Sequence, residues 1–107
     1  MTIDASRLVD EASFHAVFAE AFGFPGFYGR NWDAWNDCMG SLDEPDSGLT
    51  EVICAPGRVV TLVLENATEF REKRRDLYDA LVECSAFVNW RRVTAGYPPV
   101  LVLAFYA

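Results

Sequence analysis

Two aspartates four residues apart are the clearest chemical signal in this chain. Asp33 and Asp37 lie in the segment Asn31–Gly40, which is predicted to be a short helix, and side chains at this spacing share one helix face. Like charges so placed repel each other, and the C-terminal end of a helix favours cations. The helix is instead followed by three further acids, Asp43, Glu44 and Asp46. We interpret these acids as arranged for a cationic partner outside the fold.

Paired carboxylates are also the acid and base of glycoside hydrolysis, and two of them can hold Mg²⁺ through water. Asp33 and Asp37 point the same way from one short helix, so they do not face each other across a bond. The chain contains no P-loop, nucleophile elbow, G-x-G-x-x-G or H-E-x-x-H motif. A carboxylate-dependent hydrolase remains an alternative, but a binding protein without catalytic activity or cofactor is the better interpretation.

The cysteines do not form a metal-binding motif. None of Cys38, Cys54 and Cys84 lies in a C-x-x-C pair, and the one histidine is His15, so no metal is expected. An odd cysteine count without a signal-peptide pattern favours reduced thiols in a cytoplasm. The sequence leaves open whether Cys54 and Cys84 pair. His15 is expected at the boundary of the core.

The net charge excludes several classes of partner. Sixteen acids against nine lysines and arginines give a formal charge of −7, whereas nucleic-acid-binding surfaces are basic. Residues 27–52 hold six acids and one base, Arg30, so most of the excess lies in this segment. No apolar run is long enough to cross a bilayer. We expect a basic protein partner, attracted by charge, and neither nucleic acid nor membrane.

Phe27 and Tyr28 form an aromatic pair in a loop that contains Pro25, Gly26 and Gly29. One interpretation is that one ring packs on the core while the other is partly exposed. The other interpretation is that at least one ring lies against a partner, where aromatic side chains act as anchors.

The remaining elements must position this loop and helix. Strands are predicted at Thr2–Asp4, Val59–Glu65 and Val100–Tyr106, the last buried on both faces because it is continuously apolar. A helix capped by Asp10 and ended by Gly23 is expected, and Ala67–Trp90 is mostly helical with a break near Glu72. Helical connections imply parallel strands. We therefore expect an α/β fold, with a small three-stranded parallel sheet packed by helices in a single domain, residues 1–107.

The two faces of the Asn31–Gly40 helix are predicted to differ in character. Trp32, Trp35 and Met39 recur with helical spacing and should face the core, with Cys38 beside them. Four residues should share the opposite, solvent-facing side, namely Asp33, Asn36, Asp37 and Gly40.

The segment PGFYGRNWDAWNDCM, residues 25–39, resembles the signature of barstar-like ribonuclease inhibitors. That signature has a proline, two aromatic residues, glycine, a variable residue, asparagine, an apolar residue and Asp-Ala, followed by a second aspartate and a cysteine. The resemblance extends loosely over the whole chain through the order of strands and helices. It implies the barstar-like fold.

The resemblance also implies roles for individual residues. Asp33 and Asp37 match two helix aspartates that enter the basic active site of the ribonuclease, and Glu83 matches an acid on the last helix. Asn36 and Leu42 stand where the family has tryptophans, which alters contacts at the rim. The implied partner-binding set is Phe27, Tyr28, Gly29, Asn31, Asp33, Ala34, Asn36, Asp37, Gly40 and Glu83.

The function implied is inhibition of a secreted, guanyl-preferring microbial ribonuclease, with acids that mimic RNA phosphates. The chain would act in the cytoplasm of the producing cell as a monomer that forms a 1:1 complex with this basic extracellular protein. An immunity protein against another nuclease toxin is the alternative. The sequence leaves open the strand order and the conformation of residues 43–57.

Overall fold

Three strands alternate with helical segments along the chain, and the computed structural model describes residues 1–107. The elements are β1 (Thr2–Asp4), a 3-10 helix (Ala5–Arg7), α1 (Glu11–Phe22), α2 (Trp32–Gly40), β2 (Val60–Glu65), α3 (Ala67–Lys73), α4 (Arg75–Thr94) and β3 (Leu101–Phe105). The expected break in the long helical region lies at Arg74, between α3 and α4. The predicted order of strands and α-helices is therefore confirmed, whereas the 3-10 helix was not predicted and α4 continues past the predicted end at Trp90 to Thr94.

The three strands form one parallel sheet in the order β1-β2-β3. In the register, Ile3 is opposite Leu64 and Leu62 is opposite Leu103. Parallel neighbours need long connections, and here α1 and α2 link β1 to β2, whereas α3 and α4 link β2 to β3. The expected α/β fold with a three-stranded parallel sheet is confirmed.

The sheet is buried on one face only. Ile3, Leu62, Leu64 and Leu101 are each at most 3% exposed, and they alternate with residues that face solvent, such as Val102 at 44%. The prediction that residues 100–106 are buried on both faces is wrong. β3 is an edge strand, and Val102 on its outer face and Tyr106 just beyond it stay exposed, so its continuous apolar sequence does not imply burial on both faces.

The core is rich in aromatic rings from α1 and α2. Phe14, Phe18 and Trp35 are fully buried, and the Phe18 and Trp35 rings lie 5.6 Å apart edge to face. Met39 is also fully buried, as predicted, whereas Trp32 is half-buried. These contacts fix α2 on a rigid apolar base, because aromatic pairs add directional packing to the burial of area.

Residues 43–59 form an ordered loop without a strand. The amide of Glu51 donates to the Phe22 carbonyl at 2.8 Å, and the amide of Cys54 donates to the Leu42 carbonyl at 2.6 Å. Gly23 ends α1 with φ of +67°, as predicted, and a Cβ there would lie 2.5 Å from the Cγ of Glu51. The left-handed conformation favours glycine at this position, and a side chain here would also require the exposed Glu51 side chain to move. All three cysteines are free thiols.

Candidate partner-binding site

The start of α2 is fixed by two backbone features. Arg30 adopts φ of +52°, which is uncommon for a residue with a side chain, and it turns the loop into the helix. Asn31 then caps the helix, because its side-chain oxygen accepts a hydrogen bond from the amide of Ala34 at 2.8 Å. Asp33 consequently lies in the first turn, where the helix dipole favours an acid, and it is exposed.

Asp37, one turn further along, is exposed but has an internal partner. Its side chain is 66% exposed, and its Oδ1 lies 3.3 Å from Nη2 of Arg91 on α4. The same Nη2 donates to the Asn36 carbonyl at 3.2 Å. Both predicted aspartates therefore face solvent. Asp37 also forms an ion pair with Arg91, which the sequence pattern did not indicate.

The arginine that follows Arg91 in the sequence holds the C-terminal end of α2. Arg92 is 8% exposed in its side chain, donates to the Gly40 carbonyl at 2.9 Å, and binds both carboxylate oxygens of Asp43 at 2.9 and 2.6 Å. The hydrogen bonds from Arg92 lower the pKa of Asp43. The interpretation of Asp43 as an acid for an external cation is wrong. The cations that the C-terminal end of α2 requires are supplied by α4.

Asn36 does not lie on the exposed face. It is 8% exposed, and its Oδ1 has no hydrogen-bond partner. The expected solvent-facing position is wrong, because Asn36 lies between Trp35 and Asp37 on the helical wheel and α4 covers that side. The packing of α2 on α4 therefore places Asn36 beneath the exposed face.

The thiol of Cys84 on α4 is affected by charges on both α2 and α4. Burial raises the pKa of this thiol, the negative charges of Glu83 and Asp33 also raise it, and a hydrogen bond with Asn36 opposes them. Both acids are exposed. Glu83 on α4 is thus an exposed acid next to a thiol whose pKa is also raised by Asp33 on α2.

The aromatic pair divides between core and solvent. Phe27 is 79% exposed, whereas Tyr28 is 9% exposed and its hydroxyl lies 2.6 Å from Nδ1 of His15. His15 is itself only 1% exposed, so its expected boundary position is wrong. Burial lowers the pKa of His15 and raises that of the Tyr28 hydroxyl, so both groups are neutral at pH 7.

A groove of about 160 Å³ runs between the loop and α2. Five residues of the predicted partner-binding set border it, namely Phe27, Tyr28, Gly29, Ala34 and Asp37. Gly29 is close-packed there, since a Cβ would lie 3.2 Å from the side-chain nitrogen of Asn31. Gly40 lies apart from the groove, and a Cβ there would be 3.4 Å from Nη2 of Arg91.

The structure also identifies neighbours of the candidate site that the sequence analysis missed. Arg91 and Arg92 stand in the last turn of α4, and Arg30 supplies the left-handed turn before α2. The available signal was the arginine pair itself, because an acidic helix end needs cations from elsewhere in the fold. No cluster of three His, Cys, Asp or Glu side chains is arranged to hold a metal ion.

Together, the fold and the site define a small α/β protein that exposes two acids on one helix, with an exposed aromatic ring at the edge of the adjoining groove. Residues 1–97 match the family model described as barstar (barnase inhibitor), and the chain belongs to that family. The proteins of this family are ribonuclease inhibitors and not enzymes, and their partner is a ribonuclease. No curated protein matches the chain significantly. None of its helices combines the length and apolar character needed to span a bilayer.

Proposed function

We propose that the chain inhibits a secreted, guanyl-preferring microbial ribonuclease by placing the acids of α2 in its basic active site. The observation that supports this most is the exposure of Asp33 and Asp37 on one face of α2. Their carboxylates pair with the arginine, lysine and histidine side chains that otherwise hold the RNA phosphate. Inhibition is then competitive with RNA.

The predicted contact residues take different parts in this complex. Phe27 is the apolar anchor, because its ring is exposed at the edge of the groove. Gly29 and Ala34 let the target approach the loop and the helix closely, and Asn31 and Gly40 lie at the two ends of α2. Tyr28 and Asn36 mainly support the loop and α2 from inside the fold, since both are nearly buried.

Residues 1–107 act as one inhibitor domain, monomeric alone and 1:1 with the target. The pairing of β3 with β2 supports this, because it joins the residues beyond the family match to the same sheet. The inhibitor works in the cytoplasm, where it protects the producing cell from its own ribonuclease before secretion.

The test is inhibition of RNA cleavage by barnase. We expect the wild-type chain to block cleavage and the double variant Asp33→Asn, Asp37→Asn to lose most of the inhibition. A matched control is Glu65→Gln, Glu72→Gln, which removes two exposed acids outside α2 and should inhibit like wild type.

Three other outcomes would contradict the proposal. Equal inhibition by the two double variants would show that the overall negative charge of the chain suffices for inhibition and that the α2 aspartates have no special role. Inhibition of an unrelated nuclease toxin but not of barnase or other guanyl-preferring ribonucleases would favour the immunity protein. Cleavage of RNA by the chain alone would favour a hydrolase.

A further inference from the structure

Arg91 places a positive charge of the chain itself on its acidic face. Its guanidinium reaches from the last turn of α4 to Oδ1 of Asp37 at 3.3 Å and to the Asn36 carbonyl at 3.2 Å. The absence of a side chain at Gly40 leaves room for Nη2, and the guanidinium carbon lies 5.3 Å from the Phe87 ring centroid. Groups from two helices thus hold this cation beside Asp37, one of the two acids that the proposed function places in the active site of the target.

The contacts of Arg91 are those of a replaceable partner. One nitrogen is shared between two acceptors at long distances, and 43% of the side chain is exposed. Arg92, the next residue, is 8% exposed and binds Asp43 through two nitrogens, as a structural ion pair does. Exposed pairs such as Arg91–Asp37 stabilise a fold little, so the side chain can leave without disrupting α2.

We propose that Arg91 determines target specificity, as an internal cation that competes with the target's cations for Asp37. A cation that approaches Asp37 meets the like charge of Arg91 within hydrogen-bond distance of the same carboxylate. Binding then requires Arg91 to move aside, so only a target with enough positive charge or contact area displaces it. This inference rests on the proposed function, because it assigns Asp37 to the target-binding surface.

The experiment uses an octa-arginine peptide as a defined cationic probe, titrated into the full chain at low ionic strength. Arg91→Gln removes the charge and keeps a donor for the Asn36 carbonyl, and it should bind the peptide about three- to tenfold more tightly than wild type. Arg75→Gln is the matched control, because Arg75 is also an exposed α4 arginine paired with an aspartate, Asp79, at 3.0 Å. It should change binding less than about twofold.

Further variants separate competition from a merely structural role. Arg91→Met, which keeps the aliphatic stem, should behave like Arg91→Gln, whereas Arg91→Lys, which keeps the charge, should bind like wild type. In an Asp37→Asn background the gain from Arg91→Gln should fall to that of the Arg75 control. Circular dichroism should give the same helix content for each variant.

Equal gains at positions 91 and 75, or a gain that persists without Asp37, would overturn the proposal. Weaker peptide binding by Arg91→Gln and Arg91→Met would also overturn it, since Arg91 would then orient Asp37 for its partner. Failure of the proposed function would give a different result. The wild-type chain would then not inhibit barnase, while the differences in peptide binding among the variants would remain.

Discussion

Three aspartates in and beside α2 show how differently one residue type is used. Asp33 is exposed at the helix start, Asp37 is exposed but shared with Arg91, and Asp43 is bound by Arg92. The arginines of α4 make this distinction. Acids that look equivalent along the chain therefore differ in how available they are to a partner.

At this residue scale, Asp37→Ala should weaken binding to the target ribonuclease most, and Asp33→Ala should be second. Removal of one carboxylate leaves a target cation unpaired in the interface, which typically costs about 2–5 kcal/mol. Because both side chains are exposed, the free energy of unfolding should change by less than about 0.5 kcal/mol. Titration calorimetry with barnase and urea denaturation measure the two quantities.

The control for these two substitutions is Glu44→Ala, which removes an exposed acid just beyond the helix. Its affinity should stay close to that of wild type. Wild-type affinity in both α2 variants, or an equal loss of affinity in Glu44→Ala, would contradict the assignment of the α2 aspartates as contacts to the target.

Asp43→Ala should instead reduce stability. The substitution leaves the buried guanidinium of Arg92 without its counter-charge, which costs on the order of 2–3 kcal/mol in unfolding free energy. Glu69→Ala, which breaks the exposed pair with Lys73, should cost less than about 0.5 kcal/mol. Urea denaturation at pH 7 compares the two, and equal losses would mean that Arg92 is not a structural partner.

At the scale of elements, α1 supports both the loop and α2. Phe14 lies 4.7 Å from the Trp32 ring at the start of α2, and His15 holds the Tyr28 hydroxyl beneath the loop. Tyr28 thereby anchors the loop from inside, while its neighbour Phe27 is left outside. The exposed ring is thus presented by a loop whose other aromatic residue is fixed to a helix.

This link predicts a pH dependence of stability. Burial lowers the pKa of His15 below 6.5, so the unfolded chain binds a proton at higher pH than the folded chain does. The unfolding free energy should be fully retained above about pH 7 and fall as the pH drops through 6.5 towards the folded pKa. Protonation of the aspartates whose pKa is lowered reduces the unfolding free energy only at more acidic pH, near and below pH 3.8.

The measurement is urea denaturation between pH 7.5 and 5 of wild type and His15→Gln. Glutamine retains an acceptor for Tyr28 but does not titrate, so its stability should change less over this range. Identical slopes in the two proteins would assign the pH dependence to other groups.

At the scale of the whole molecule, the charge is distributed unevenly. Of the formal charge of −7, most lies in residues 27–52, and the bases Arg91 and Arg92 offset part of it from the far end of the chain. The α3–α4 region instead pairs its charges locally, as in Arg75–Asp79 and Lys73–Glu69. The charge around α2 therefore remains negative after these two arginines are counted.

This negative charge predicts that the rate of association with a basic target depends on salt. The association rate with barnase should fall on the order of tenfold or more between low and roughly 0.3 M salt, while the dissociation rate changes less. Stopped-flow mixing measures both rates. A rate independent of salt would show that electrostatic attraction does not guide the encounter.

The sequence by itself determined the local features of this protein. Caps at Asp10, Gly23 and Asn31, the apolar runs of the strands and the signature in residues 25–39 each depend on neighbours within a few positions. Local hydrogen bonds and periodicity suffice for such features. The element order and the parallel sheet followed from them.

Only the tertiary structure decided which side chains meet across the chain. Arg91 reaches Asp37 and Arg92 reaches Asp43 over about fifty positions, and His15 turns inward to Tyr28. These contacts depend on the angle and depth at which α4 and α1 pack on α2, which no local pattern encodes. For the same reason the burial of Asn36, at the edge of a helix face, depends on the packing of α4 against α2 and does not follow from the spacing of residues in α2.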